Sequence, residues 1–262
     1  MKKLLILLIS TLILLPAALF AETPVEKGLA VATEMDRRDE GFKDVTSNML
    51  MVLKNRHGQE STRKIRMKVL EKAGDGDKSL MIFDNPKDVK GTAFLNFTHK
   101  TGDDDQWLYL PALKRVKRIS ARNKSGSFMG SEFAYEDISS QEVEKYTYNW
   151  LRDAKYENKD CFVVEYYPVD KKNTGYTRQV SWIDKLEYRV HKVEYFDRKN
   201  SHLKTLTFKG YKKYLDRFWR ADEMNMVNHQ NGKSTGLQFS EYAFQTGLKD
   251  KDFSKNSLKR VR

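Results

Sequence analysis

Two serines lie in the segment GSFMGSEFAYEDIS, residues 126–139, where flanking glycines raise the question of a nucleophile. Neither Ser127 nor Ser131 has the Gly-x-Ser-x-Gly spacing of a nucleophile elbow. A nucleophilic serine also needs a base, and the five histidines stand alone along the chain: His57, His99, His191, His202 and His229. A hydrolase could therefore be assembled only from Ser, His and Asp residues scattered in sequence.

Metal-ligating residue types are present, but their spacing is not that of a metal site. The chain has no HExxH, CxxC or HxH pattern. The segment GDDDQ, residues 102–106, has three adjacent acids but lacks the spaced ligands and final Glu of a calcium loop. We interpret it as a solvated turn. The sequence predicts no metal, no cofactor and no enzymatic activity.

The densest charge in the sequence is a group of six cations within eleven residues. This basic cluster consists of Lys114, Arg115, Lys117, Arg118, Arg122 and Lys124. It could be a solvated strand face, or a strand that binds nucleic acid through phosphate contacts and aromatic stacking. An anionic membrane is a third partner, since each Lys or Arg near such a surface contributes about 1 kcal/mol. We expect Glu136 and Asp137, which follow the cluster, to pair with it.

The N-terminal 21 residues have the order of a secretory signal peptide. Two lysines precede an apolar run at residues 4–15, and small residues lead to a cleavage position after Ala21. The run is too short to cross the about 30 Å hydrocarbon core as a helix. No cysteine lies near the cut, so the protein is not expected to be a lipoprotein itself. We predict export to the periplasm, which disfavours nucleic acid as a partner, and a single mature domain over residues 22–262.

The charge balance is strongly basic. The chain has 48 Lys and Arg against 36 Asp and Glu, a net charge of +12, which falls to +10 when the two lysines of residues 1–21 are removed. Such a balance attracts anionic partners. The single cysteine, Cys161, excludes an intramolecular disulfide and lies in an apolar stretch, where it is expected to be a small buried hydrophobe.

The elements that must position these residues are mostly strands. After a short helix that begins at Thr23, with a capping box completed by Glu26, alternation with a period of two dominates from Phe42 onward. A turn at Asn231-Gly232 predicts the last hairpin. The pattern predicts a mainly β fold, an antiparallel sheet that is strongly curled or closed into a barrel.

Several strands are apolar on both faces, as in CFVVEYY at residues 161–167. A sheet of this kind must be covered on both sides or must enclose something. Periodicity leaves two alternatives open: helices that pack on one face, or a barrel with an apolar interior large enough for a ligand.

Three segments resemble a known family. They are FDNPKDVKGTAFLNF, then DDDQWLYLPALKRVKRISARNKSGSFMGSEFAYEDIS, and later HKVEYFDRKNSHLKTLTFKGY. They are similar to the LolA-like outer-membrane lipoprotein-sorting proteins, in the branch associated with transporters of the resistance-nodulation-division type. The resemblance spans the mature chain. It implies an incomplete, strongly curved antiparallel β-barrel with short lid helices, an apolar cavity for acyl chains, and no catalytic chemistry.

The residues expected to line that cavity or gate it are apolar and mostly at alternate strand positions. They are Met49, Met51, Met67, Trp107, Phe128, Met129, Phe133, Met224 and Met226. Methionine suits an acyl chain because it is flexible and polarizable. Ordinary core filling is the competing interpretation for the methionines.

Two functional hypotheses follow, beside the weakly supported hydrolase. The first is a periplasmic carrier that reversibly binds lipid or lipoprotein acyl chains for transfer toward the outer membrane, taking them from an inner-membrane transporter. The second is a non-carrier accessory protein that docks on such a transporter, or transiently on an anionic membrane, through the basic cluster. Lipid extracted from the purified protein would distinguish them.

Overall fold

A computed structural model describes residues 22–259 of the chain; the predicted signal peptide, residues 1–21, lies outside them. The described chain begins with helix α1, Pro24–Asp39, continues through a series of strands, and has a short helix α2, Lys255–Leu258, as its last element. The predicted capping box is confirmed: the Thr23 hydroxyl accepts from the Glu26 N–H at 3.2 Å, and the Glu26 carboxylate accepts from the Thr23 N–H at 2.8 Å.

Fifteen strands are found in the described chain. They are β1 Asp44–Lys54, β2 Glu60–Leu70, β3 Lys78–Asn85, β4 Ala93–Phe97, β5 Asp105–Leu110, β6 Arg115–Ile119, β7 Tyr146–Tyr156, β8 Lys159–Pro168, β9 Tyr176–Asp184, β10 Val190–Asp197, β11 His202–Lys209, β12 Lys212–Tyr214, β13 Phe218–Arg220, β14 Glu223–Asn228 and β15 Ser234–Phe244. Thirteen of them form one antiparallel sheet in the order β6-β5-β4-β3-β2-β1-β15-β14-β11-β10-β9-β8-β7. Strands β6 and β7 are its two edges, so the sheet does not close, and the predicted fold class is confirmed.

The sheet curves around its largest apolar cluster. This inner cluster joins residues from strands far apart in the sheet order, such as Phe94 on β4, Met51 on β1 and Leu206 on β11. A flat sheet could not bring them into contact, because neighbouring strands are about 4.8 Å apart. The face that carries the cluster is called the inner face below.

The strands that are apolar on both faces are covered by other elements, in different parts of the sheet. On the outer face of β3 to β5, Leu95 and Trp107 pack against Phe253 and Leu258 of the C-terminal segment. Helix α1 covers the inner face near the β7 edge, where Val31 and Ala32 are buried. It approaches β7 at Gly28, where an added Cβ would lie 2.9 Å from the backbone nitrogens of residues 149 and 150.

Candidate functional site

The loop that connects β6 to β7, residues 120–145, crosses the inner face; we call it the inner loop. Phe128 is fully buried there, with its ring 5.1 Å from that of Phe94 and 5.4 Å from that of Tyr135. Phe133 is 2% exposed in the same cluster. Part of the interior that the sequence predicts to be open is therefore filled by the protein's own aromatic side chains.

Polar contacts fix the inner loop to opposite walls of the sheet. On one wall the Gln106 amide donates to the Ser139 hydroxyl at 2.9 Å, and Arg63 donates to the carbonyl of Met129. On the other, the Glu132 N–H donates to the Thr235 hydroxyl at 3.0 Å. Because the loop has a partner on each side, these contacts tie together strands that are not neighbours.

The two acids of the inner loop have partners other than the expected ones. Asp137 accepts from Lys204 on β11 at 2.6 Å and from the Tyr176 hydroxyl at 2.8 Å. Glu136 accepts from the Thr174 hydroxyl and the Gly175 N–H, both at 2.8 Å. The expectation that Glu136 and Asp137 pair with the basic cluster is wrong, because the loop turns inward and directs Asp137 to β9 and β11 and Glu136 to the connection that precedes β9.

The two serines have structural partners. Ser127 donates to the carbonyl of Ser131 at 2.6 Å, and Ser131 donates to the carbonyl of Phe128 at 2.7 Å. These bonds hold the turn in which Met129 and Gly130 have φ of 51° and 77°. Among residues 22–259, no group of three or more His, Cys, Asp and Glu side chains could hold a metal ion.

The nine apolar residues proposed for the cavity or its gate separate into two sets. Eight belong to the inner cluster or pack against it: Met49, Met51, Met67, Phe128, Met129, Phe133, Met224 and Met226. Trp107 lies on the outer face, 5.2 Å from the Phe97 ring and under the Lys255 ammonium at 4.6 Å. Trp107 therefore packs the C-terminal segment and does not border the interior.

The basic cluster is an edge strand and its flanks, and its charges point in two directions. Arg115 and Lys117 pair in register with Leu110 and Leu108, which places them on the inner side, whereas Arg118 is opposite Trp107 on the outer side. Two members have anionic partners: Arg118 lies 2.6 Å from Asp105, and Lys124 lies 3.4 Å from Asp170. Within residues 22–259, the other four form no ion pair: Lys114, Arg115, Lys117 and Arg122.

A cavity of about 1560 Å³ opens between the C-terminal half of α1, the inner face and the β12–β13 hairpin. Pockets for drug-sized ligands hold about 300–1,000 Å³, so this space is large enough for a longer molecule. Its apolar and aromatic lining consists of Ala32, Met35, Phe42, Leu70, Ala73, Val143, Tyr148, Tyr166, Tyr188, Val190, Tyr211, Trp219 and Leu248. None of the nine apolar residues proposed from the sequence borders it.

Carboxylates line one side of this cavity. Burial raises the pKa of Glu142, and repulsion from Asp36 raises it further. Burial also raises the pKa of Asp36, and repulsion from Glu40 adds to this effect. Burial, with repulsion from Glu142, raises the pKa of Asp77 to about 7, although the Lys72 N–H that donates to it at 3.2 Å opposes the change. The acids lie far apart in sequence, so no spacing could have indicated that they meet.

Cations border the cavity on the β12–β13 hairpin. Lys213, Arg217 and Arg220 border the cavity there. Arg220 pairs with Asp39 at the end of α1 at 2.5 Å, and the Arg217 guanidinium donates to the carbonyl of Arg37 at 3.5 Å. The segment DRRDE, residues 36–40, which alone would read as a solvated helix end, therefore forms part of the cavity mouth.

Comparisons with known proteins agree with this architecture. A family model described only as an uncharacterized protein matches residues 75–260. No curated protein matches the chain. The chain is similar to an outer membrane lipoprotein-sorting protein domain from Vibrio parahaemolyticus, with 62% identity over 90% of this chain and 100% of that chain, at a TM-score of 0.88.

Two further solved structures have the same fold. A DUF1329 family protein from Desulfovibrio piger is 33% identical over 90% of this chain and 99% of that chain, with a TM-score of 0.85. A LolA superfamily protein from Nitrosomonas europaea is 20% identical over 88% of this chain and 98% of that chain, with a TM-score of 0.70. The last similarity concerns the fold alone.

Proposed function

Because the chain belongs to the LolA-like family of outer membrane lipoprotein-sorting proteins, we propose that it is a periplasmic carrier that reversibly binds lipid or lipoprotein acyl chains. The observation that supports the proposal is the open cavity of about 1560 Å³ lined by α1, the inner face of a curved sheet and the β12–β13 hairpin. An acyl chain needs apolar surface without directional bonding, and the aliphatic and aromatic part of the cavity wall would supply it. The charged mouth suits a head group that remains in water.

The inner cluster is a second apolar space that an acyl chain could use. Six strand methionines belong to it or pack against it, from β1, β2, β3 and β14, and methionine side chains adapt to ligands of different shape. Two side chains of the inner loop, Phe128 and Met129, pack into this cluster. We propose that they act as a gate: the tip of the loop yields part of this volume when a long chain enters.

No helix within residues 22–259 has the length and hydropathy to cross a membrane. The proposed signal peptide, residues 1–21, would direct the chain to the periplasm, and residues 22–262 would form the single carrier domain. The donor would be an inner-membrane transporter, of the resistance-nodulation-division type by the resemblance of the sequence. The acceptor would lie at the outer membrane.

A second candidate function is docking without carriage, and the basic cluster favours it. Four of its cations are without an ion pair in the described chain and lie on or beside edge strand β6, where they are exposed. Such a surface suits an anionic membrane or an acidic face of a transporter. Docking and carriage are compatible, because the cluster and the cavity involve different residues.

The test of carriage is lipid analysis of the mature protein, residues 22–262, purified from the periplasm without detergent. We expect extraction and mass spectrometry to recover a stoichiometric lipid, and added fatty acid to displace a fluorescent acyl probe from the delipidated protein. Absence of both lipid and probe binding would remove the carrier proposal. Docking alone would then be tested by sedimentation with anionic vesicles.

A further inference from the structure

Glu142 is a buried acid without a partner. It precedes the 3-10 turn Val143–Lys145 that leads into β7, and only 7% of its surface is exposed. Its side chain borders the cavity, and among residues 22–259 its carboxylate accepts no hydrogen bond and forms no ion pair. A buried charge without a partner is costly, so this carboxylate is placed to receive a cation from a ligand.

The backbone beside Glu142 leaves room for its carboxylate. A Cβ added at Gly76 would lie 2.9 Å from Glu142 Oε1 and 2.6 Å from the carbonyl carbon of Thr98. Any larger residue at position 76 would therefore clash with the acid or with the backbone. The glycine permits Glu142 to lie against the loop that precedes β3 and still reach the cavity.

Two further acidic side chains lie near Glu142. Asp36 on α1 and Asp77 before β3 border the same cavity, and electrostatic repulsion acts between Glu142 and each of them. Lys100 is the cavity cation whose charge reaches both Asp36 and Glu142, yet it forms no ion pair within 4.0 Å in the described chain. Lys145 also acts on Glu142 but pairs with Asp104. We call Glu142, Asp36 and Asp77 the acidic corner.

Aromatic side chains adjoin the acidic corner. The Tyr148 hydroxyl donates to the carbonyl of Val143, next to Glu142, at 2.9 Å, and its ring lies 4.9 Å from that of Tyr166. Both tyrosines border the cavity. Carboxylates beside aromatic rings suit an organic ammonium, which is attracted by negative charge and by the π-face. The described residues include no group that could hold a metal ion.

The distribution of charge in the cavity also fits the rest of a head group. Lys213 and Arg217 lie on the β12–β13 side, form no ion pair in the described chain and provide donors for an anionic group, whereas Arg220 is paired with Asp39. A ligand with a phosphate and an ammonium would match both sides at once, with its acyl chain against the apolar wall. A purely anionic head group would leave the acidic corner unpaired.

We propose that the acidic corner binds the ammonium of a zwitterionic phospholipid head group of the phosphoethanolamine type, so that the carrier prefers such lipids to anionic ones. This inference rests on the proposed acyl-chain carriage and specifies its ligand class. Glu142 receives the ammonium, with Asp36 and Asp77 beside it. The hairpin cations contact the phosphate.

The test compares two lysophospholipids with the same acyl chain and phosphate, lysophosphatidylethanolamine and lysophosphatidylglycerol, which differ in the ammonium. Isothermal titration calorimetry with the delipidated mature protein should give about tenfold tighter binding of the ethanolamine lipid. Glu142→Gln should abolish most of that preference by weakening the ethanolamine lipid alone. Glu157→Gln, at an exposed position in the turn between β7 and β8, is the matched control and should keep the preference.

Each outcome decides a different claim. Equal affinities for the two lipids, or a preference that survives in Glu142→Gln, would overturn the ammonium site while leaving carriage intact. Binding of neither lipid would overturn carriage and the ammonium site together. Glu142→Gln keeps the side-chain shape and removes an unpaired charge, so thermal unfolding should show a folded protein; Asp36→Asn supplies a second variant with the same expected loss.

Discussion

Lys204 and Asp137 form an ion pair of 2.6 Å in which both side chains are almost fully buried, with 4% and 3% exposed. The pair joins β11 to the inner loop, and the same ammonium donates to the Glu132 carbonyl at 2.9 Å. The Tyr176 hydroxyl completes the surroundings of Asp137. The inner loop is therefore held against the far wall by an ion pair that is shielded from solvent.

Removal of one partner of this pair should destabilise the protein strongly. We expect Lys204→Met to lower the free energy of unfolding by about 3–5 kcal/mol, because Asp137 would remain buried without its cation. Urea unfolding followed by tryptophan fluorescence measures the change. The exposed pair Lys54–Glu60, at 3.3 Å, is the control, and Lys54→Met should cost at most about 1 kcal/mol. Equal losses of stability at the two sites would contradict the stabilising role of the buried pair.

Truncation of Phe128 separates its structural role from its role as a gate. Phe128→Ala should lower the free energy of unfolding by about 3–5 kcal/mol, since the ring is fully buried among three other aromatic rings. The vacated volume should also speed uptake of a fluorescent acyl probe in stopped-flow measurements. Leu113→Ala, at a side chain that is 68% exposed, should change neither quantity. Unchanged uptake by a folded Phe128→Ala protein would contradict the gate.

Helix α1 should be sensitive to the one glycine at its contact with β7. Alanine is the better helix former by about 0.5–1 kcal/mol, yet a Cβ at Gly28 would lie 2.9 Å from two backbone nitrogens. We expect the steric clash to outweigh the higher helix propensity of alanine, so that Gly28→Ala displaces α1 and destabilises the protein by about 1–3 kcal/mol. Faster amide hydrogen exchange in α1 would show the displacement. Thr33→Ala, at an exposed position of the same helix, should leave the exchange unchanged.

The raised pKa of Asp77 predicts a pH dependence of stability. Its pKa is about 7 in the folded protein against 3.8 for an ordinary aspartate, so the folded state binds more protons between those values. The free energy of unfolding contributed by Asp77 therefore decreases as pH rises from about 4 to 7. Asp77→Asn should remove this decrease. The free energy of unfolding of the variant, relative to that of the parent, should therefore be higher at pH 8 than at pH 4. Asp103→Asn, at an exposed turn, should leave the profile unaltered.

Charge reversal in the basic cluster tests docking. Lys114→Glu, Arg115→Glu and Lys117→Glu together should greatly weaken sedimentation with anionic vesicles, because each cation contributes about 1 kcal/mol near such a surface. Acyl-probe binding should not change, since the cluster does not border the cavity. The control has the same change in net charge elsewhere: Lys171→Glu, Lys172→Glu and Lys199→Glu. If the control loses vesicle binding equally, net charge rather than this cluster is responsible.

The sequence indicated most of the sheet because alternation is a local signal. The alternation predicted from Phe42 onward corresponds to the strands that begin with β1 at Asp44, and the turn predicted at Asn231-Gly232 joins β14 to β15. Strand β7, Tyr146–Tyr156, did not stand out, because charged residues at its exposed edge obscure the alternation. Its pairing with β8 makes it a strand, and that pairing is a tertiary relationship.

The tertiary fold determines which residues come together at the candidate site. Alternation correctly placed Met49, Met51, Met67, Met224 and Met226 on one face, since side chains two residues apart in a strand share a face. It could not assign Trp107 to the outer face, because nothing local distinguishes the two faces of a strand that is apolar on both. The inward path of the inner loop, the buried pair of Lys204 and Asp137, and the meeting of Asp36, Asp77 and Glu142 depend on how the curved sheet brings distant segments together. Local periodicity and a family resemblance determined the class of protein, whereas long-range packing alone decided which space is filled and which charges face the cavity.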